Sequence, residues 1–286
     1  MPNPENMMFV RPRNCHYCEH GYNALAHMVN YAQQKGAWNI TDLHDTQADK
    51  IPVYDAIDQT DPFAFYGFGH GNNCVYTGDS EESIFTCNEC NRLSGRVVYL
   101  LSCLTAGGLG PAIIEQGALA YAGFNVSWTW VADTDESDEF VYPDPYNDPY
   151  AYGFYESANE LWKALVDGKT FQEAVQQSIN KYDEWIDYWY YTSPEDPASQ
   201  DCIMWLAHDR DGLVALDVCD TLTTEEECGT HGCYWYENCC HSSPAQIFSG
   251  NVATIAITIG VIGLAFVAYY IQSQKDEAPY KTKATS

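Results

Sequence analysis

The chain has 286 residues, a formal net charge of −27 and 12 cysteines. Only 13 Lys and Arg stand against 40 Asp and Glu, which excludes nucleic-acid binding through a basic surface. A content of 46% hydrophobic and 14% aromatic residues excludes disorder throughout and suits one domain of about 200 residues with appendages.

In chain order, 7–11 (MMFVR) reads as a strand. Residues 21–34 carry Ala24, Leu25, Met28, Val29 and Tyr31 near helical spacing, and Gly36 stops the helix. Strands are expected at 38–43 and 64–69 (AFYGFG), with a short helix at 51–57 between them. Residues 96–104 (RVVYLLSCL) form a continuous apolar run suited to a sheet covered on both faces. A helix at 107–116 and a buried strand at 118–124 follow. Thr170 and Glu173 make a capping box that opens a helix to about Tyr188. The runs 202–206 and 213–216 are expected to close the sheet. This alternation predicts a three-layer α/β/α sandwich with a mostly parallel sheet over residues 1–218.

The remaining chain divides into three parts. Residues 219–245 hold Cys219, Cys228, Cys233, Cys239 and Cys240 in a stretch too poor in apolar residues to fold by burial alone. With Cys202 they number six, enough for three disulfides, and a metal knuckle using His231 and His241 is the alternative. Residues 252–271 run 20 positions without a charge, the length of a single membrane crossing. The tail 272–286 carries Lys275, Lys281 and Lys283 against Asp276 and Glu277, and no Lys or Arg lies between Asp211 and the apolar span. The positive-inside rule then places the tail in the cytoplasm and the large domain outside the cell. The first residues show no apolar signal-peptide core, so either the start lies upstream or the chain is tail-anchored toward the cytosol.

In open parallel sheets the active site lies past the carboxyl ends of the strands. His70 follows AFYGFG, and Cys103 ends RVVYLLSC. A cysteine nucleophile needs a base beside it, and a histidine can later protonate the leaving group. Gly71 leaves its N–H unshielded, so it could hold an oxyanion together with the N–H of Cys103. The segments FAFYGFGHG and VVYLLSCLTAGGLGPAIIEQGALAYAGFNVSW resemble the caspase–hemoglobinase fold of clan CD cysteine peptidases, in particular its gingipain-like C25 branch. The resemblance implies that His70 is the family's histidine, Cys103 its nucleophile and Gly71 an oxyanion-hole glycine. It also implies endopeptidase action on a protein or peptide through an acyl-enzyme, without a cofactor.

That resemblance further implies that 125–128 (NVSW) helps line the first substrate pocket. The following Asp133, Asp135, Glu136, Asp138, Glu139, Asp144 and Asp148 read as a solvated acidic loop, a negative rim for Arg or Lys, or a calcium loop. Cys15–Cys18 and Cys87–Cys90 are both CxxC pairs, read as a four-thiolate zinc site or as disulfides. Cys74 is left over. The leading expectation is a membrane-anchored cysteine endopeptidase. Its rival is a catalytically silent surface module for adhesion or assembly, with the aromatic run 182–192 as a binding face.

Overall fold

The computed structural model describes residues 2–218, 234–236 and 239–241. Its elements are β1 (Asn3–Arg11), α1 (Cys18–Lys35), β2 (Asn39–His44), α2 (Lys50–Thr60), β3 (Pro62–Phe68), β4 (Gly71–Asn72), β5 (Val75–Thr77) and β6 (Ser83–Thr86). There follow β7 (Val97–Leu101), α3 (Leu109–Glu115), β8 (Ala120–Phe124), α4 (Tyr152–Val166), α5 (Phe171–Asp187), α6 (Ser199–Gly212) and β9 (Leu213–Asp217). A last antiparallel pair joins β10 (Tyr234–Tyr236) to β11 (Cys239–His241). The remainder of the cysteine-rich segment, the apolar span 252–271 and the tail 272–286 lie outside the described residues. Among the described residues, no helix is long and apolar enough to cross a membrane.

The main sheet has the strand order β2-β1-β3-β7-β8-β9. Every pair in it is parallel except β8 with β9. Alternate strand residues feed two cores, because successive side chains point to opposite faces. Met7, Phe9, Tyr66, Tyr99, Leu101 and Phe124 face one core, which α1, α4, α5 and α6 cover. Met8, Val10, Phe65, Val98, Leu100 and Tyr121 face the other, covered by α2, α3 and the β4–β6 meander. The fold is therefore the expected three-layer α/β sandwich with a mostly parallel sheet.

Helix α4 is the principal element not anticipated from the sequence. Its Trp162 is fully buried, with its ring 5.8 Å from Phe9 and 5.0 Å from Tyr66. Two buried tyrosines of the sheet bond to the same helix. Tyr66 donates to Asn159 Oδ1, and Tyr99 donates to the Ala158 carbonyl at 3.0 Å. Most buried phenols have such a partner. A second difference is the run 202–206, which is helical and not a strand. Cys202, Leu206 and Asp209 are buried at one-turn intervals on α6. Only 213–217 reaches the sheet, as its antiparallel edge.

Glycine at position 21 is dictated by a close approach. It lies inside α1, where glycine weakens a helix by about 1 kcal/mol relative to alanine. A Cβ there would come within 2.0 Å of the Phe68 ring. The bare backbone lets α1 rest on the end of β3, the strand that leads to His70.

Candidate active site

The β3–β7 ladder sets the position of both candidate catalytic residues. Its last register pair is Phe68 with Leu101, and the Gly69 N–H reaches the Leu101 carbonyl at 3.4 Å. His70 and Cys103 each stand two residues further on, at the same carboxyl rim. Both line one cleft of about 510 Å³, together with Cys18, Trp128, Trp130 and Phe140.

The chain turns sharply after Cys103. Leu104 has φ 62° and ψ −2°, a left-handed conformation that costs a bulky residue roughly 1–2 kcal/mol. The Leu104 N–H is held by the Val126 carbonyl at 2.9 Å. Strain of this kind concentrates at functional sites, and here it ends the strand directly beside the candidate nucleophile. Gly71 is equally constrained. A Cβ there would lie 2.3 Å from Ser102 Oγ and 2.8 Å from Thr105 Cγ2, so only glycine brings this backbone against the end of β7.

In this resting arrangement each member of the dyad faces another partner. Cys103 is half-buried, and its thiol points at the Trp128 carbonyl, 3.8 Å away. Burial pushes the Cys103 thiol up from its ordinary value, so at neutral pH it is held as the thiol. His70 is exposed, and its Nε2 lies 3.2 Å from Cys15 Sγ and 3.4 Å from Cys18 Sγ.

The wall opposite is built by the loop between β8 and α4. Phe140 stacks between His16 and His20, with ring centroids 4.3 and 3.7 Å away. Trp130 Nε1, a pure donor, reaches His20 Nδ1 at 3.2 Å. His20 Nε2–H must then donate to the Tyr142 carbonyl, 2.6 Å away. Burial holds the His20 ring below its usual range, which agrees with this neutral tautomer. Of the segment 125–128, Trp128 reaches the cleft, while Asn125 is exposed.

The acidic loop is only partly a solvated rim. Asp148 is fully buried and accepts the N–H groups of Asp133, Tyr150 and Ala151. Asp144 pairs with His27 at 2.9 Å and accepts from Tyr146 N–H. Asp135 accepts from the N–H groups of Ser137 and Glu139. These carboxylates are turned toward backbone donors and, at Asp144, toward His27. Asp138 does line the cleft.

The cysteines depart furthest from expectation. The two CxxC pairs do not meet as a four-thiolate site. Cys15 is bonded to Cys18, and Cys87 is bonded to Cys74. Cys90 is a free, buried thiol. The reason is topological. Cys18 lies in the core on one face of the sheet, whereas Cys87 and Cys90 pack with the core on the other. The β4–β6 meander, inserted after His70, carries the chain there. Cys74 is therefore not left over, and Cys202 is a free thiol buried in α6. Instead, the sulfurs of Cys15 and Cys18 and a ring nitrogen of His70 lie within 4.8 Å of one another. Two thiolates and an imidazole form a donor set of the kind zinc takes. Here both sulfurs are spent on a bond to each other. The aromatic run at 182–192 is divided: Tyr182 and Trp189 are core, while Tyr190 and Tyr191 are exposed.

A buried carboxylate that the sequence did not single out supports the cleft from behind. Asp209 of α6 is fully buried, and it accepts the Thr129 N–H at 3.1 Å, next to Trp128. Burial pushes its carboxyl well above the ordinary range. The folded chain therefore binds this proton more tightly than the unfolded chain, whose value is about 4. The stabilisation is complete below about pH 4 and is lost as pH rises toward the folded value. Asp209→Asn is expected to melt above the parent at pH 7–8, with the gap closing toward pH 4. Melting curves across that range check it, and a pH-independent gap contradicts it.

No protein-family model matches the chain, and no curated protein matches it. Among solved structures, it is similar to the complex of the pro- and mature domains of RgpB from Porphyromonas gingivalis. The TM-score is 0.46 and the identity 11%, over 74% of this chain and 47% of that one. The chain thus spans about half the length of the structure it matches. A likeness this distant leaves activity to be argued from the residues of the site.

Proposed function

We propose that the chain is a cysteine endopeptidase of the gingipain-like, clan CD kind, acting through His70 and Cys103. The observation that carries this reading is the β3–β7 register, which sets the two residues at equivalent positions on one rim, in one cleft. The motif resemblance over FAFYGFGHG and VVYLLSC supports it. Substrate binding brings His70 to the thiol. His70 takes the Cys103 proton as Sγ attacks the scissile carbonyl carbon, and the N–H groups of Gly71 and Cys103 hold the resulting oxyanion. Collapse expels the amine, which takes its proton from His70 and leaves a thioester on Cys103. Water, deprotonated by His70, then releases the acid. Asp138 and the faces of Trp128 and Trp130 suit a cationic side chain before the scissile bond.

The two disulfides support an oxidising compartment. On that reading, residues 252–271 anchor the domain outside the cell. An acyloxymethyl-ketone probe with an Arg or Lys side chain tests the activity. Labelling that maps to Cys103, with turnover of a peptide library, is expected. Absence of both, with retained binding to a surface partner, would instead favour the adhesion module, for which exposed Tyr190 and Tyr191 offer a contact face.

A further inference from the structure

The CxxC pair is placed unlike a purely structural cross-link. Cys18 opens helix α1, and its N–H lies 3.0 Å from Cys15 Sγ. A thiolate on Cys15 would therefore sit on a donor at a helix N-terminus, the setting that makes cysteines reactive. The two sulfurs differ in access, since Cys15 is half-buried and Cys18 is 2% exposed. Independently, His70 arrives from β3 and sets Nε2 within 3.2 and 3.4 Å of the two sulfurs. An imidazole there can serve either sulfur with a proton.

We propose that Cys15 and Cys18 form a thiol–disulfide exchange couple, with Cys15 the sulfur attacked and His70 its proton-transfer partner. The co-reactant is a small thiol. Its thiolate attacks Cys15 Sγ, a new sulfur–sulfur bond forms to Cys15, and the Cys15–Cys18 bond breaks. Cys18 leaves with the electron pair and takes a proton from His70. Asn14 Oδ1, 3.2 Å from Cys18 Sγ, then accepts that S–H. A second thiolate attacks the small-thiol sulfur of the mixed disulfide and expels Cys15 as a thiolate, beside the Cys18 N–H and His70. Two electrons pass to the protein, and two thiols become one small disulfide. The couple stands apart from peptide hydrolysis. If the dyad reading also holds, exchange and hydrolysis share one imidazole.

Cys74–Cys87 provides an internal reference, because it staples the β4–β6 meander and not a helix start. The experiment exposes the full chain carrying Cys103→Ala to graded glutathione, followed by alkylation and mass-spectrometric mapping. Cys15–Cys18 is expected to open while Cys74–Cys87 stays closed. Adding His70→Ala is expected to slow that opening by about tenfold or more, with Cys74–Cys87 unaffected. Adding Cys18→Ser leaves Cys15 a lone thiol, and oxidised glutathione is then expected to exchange onto Cys15 as a lasting mixed disulfide, releasing one reduced glutathione. Opening of Cys74–Cys87 at equal or lower glutathione would overturn the proposal, as would an unchanged opening rate in His70→Ala. Because Cys103 is absent throughout, failure of the peptidase reading leaves these outcomes intact.

Discussion

Cys103→Ala is expected to abolish peptide turnover, and His70→Ala is expected to lower kcat/KM by about 10²–10⁴-fold at neutral pH. The two losses should differ in pH dependence, and the physical reason lies in the thiol. Burial raises Cys103, so little thiolate exists at pH 7 without a base. On the proposed mechanism, His70 removes that proton during attack in the parent. In His70→Ala only solvent can do so, and the thiolate fraction grows as pH climbs toward the thiol's raised value. The ratio of parent to His70→Ala should therefore narrow with increasing pH, while Cys103→Ala stays inactive at every pH. Steady-state kinetics from pH 6 to 10 decide it. Turnover by Cys103→Ala at the parent rate removes Cys103 as nucleophile. A pH-independent deficit in His70→Ala makes His70 a structural residue.

What the sequence disclosed follows from which signals are local. Strands β3, β7 and β8 were legible because each is a short apolar run bounded by polar or glycine residues. Helix α5 was legible from Thr170 and Glu173, whose capping box is formed as expected. His70 and Cys103 followed, since a residue at a strand end needs only the strand to be found. Helix α4 was hidden because no side chain caps its start. Ala151 stands at the N-cap, and Asp148, three residues earlier, accepts the N–H groups of Tyr150 and Ala151 just ahead of the helix. The run at 202–206 was ambiguous by length, and α6 won because Cys202, Leu206 and Asp209 repeat at helical spacing. The meeting of Cys15 and Cys18 with His70 depends on strand order, which no local pattern encodes. Because β1 lies beside β3, the loop after one strand falls against the loop after the other. Asp148 was grouped with its acidic neighbours because charge runs usually face solvent.

That last residue carries the second large effect. Asp148→Ala is expected to destabilise the fold by about 3–5 kcal/mol, the usual consequence of emptying a buried, hydrogen-bonded charge site. Oδ2 accepts the Asp133 N–H at 2.9 Å, and Oδ1 accepts those of Tyr150 at 2.8 Å and Ala151 at 3.1 Å. Removing the carboxylate strands one buried and two half-buried N–H donors, and each unsatisfied donor costs about 1–3 kcal/mol before relaxation. For a domain of roughly 200 residues, the melting temperature should fall by about 6–20 °C. Asp148→Asn separates charge from shape. Its amide oxygen can still accept two of the bonds, but the NH₂ then faces the Asp133 N–H, donor to donor, for a loss of about 1–3 kcal/mol. Both variants also loosen the cleft. The Asp133 N–H anchors the start of the loop that carries Thr134, Asp138 and Phe140 to the site. Among molecules still folded, the proposed peptidase mechanism predicts that KM rises more than kcat falls, since it assigns substrate binding to the wall and chemistry to His70 and Cys103 on other elements. Thermal melts paired with kinetics below the transition test both statements. Melting of Asp148→Ala within 1–2 °C of the parent would return this carboxylate to the solvated rim that its neighbours suggest.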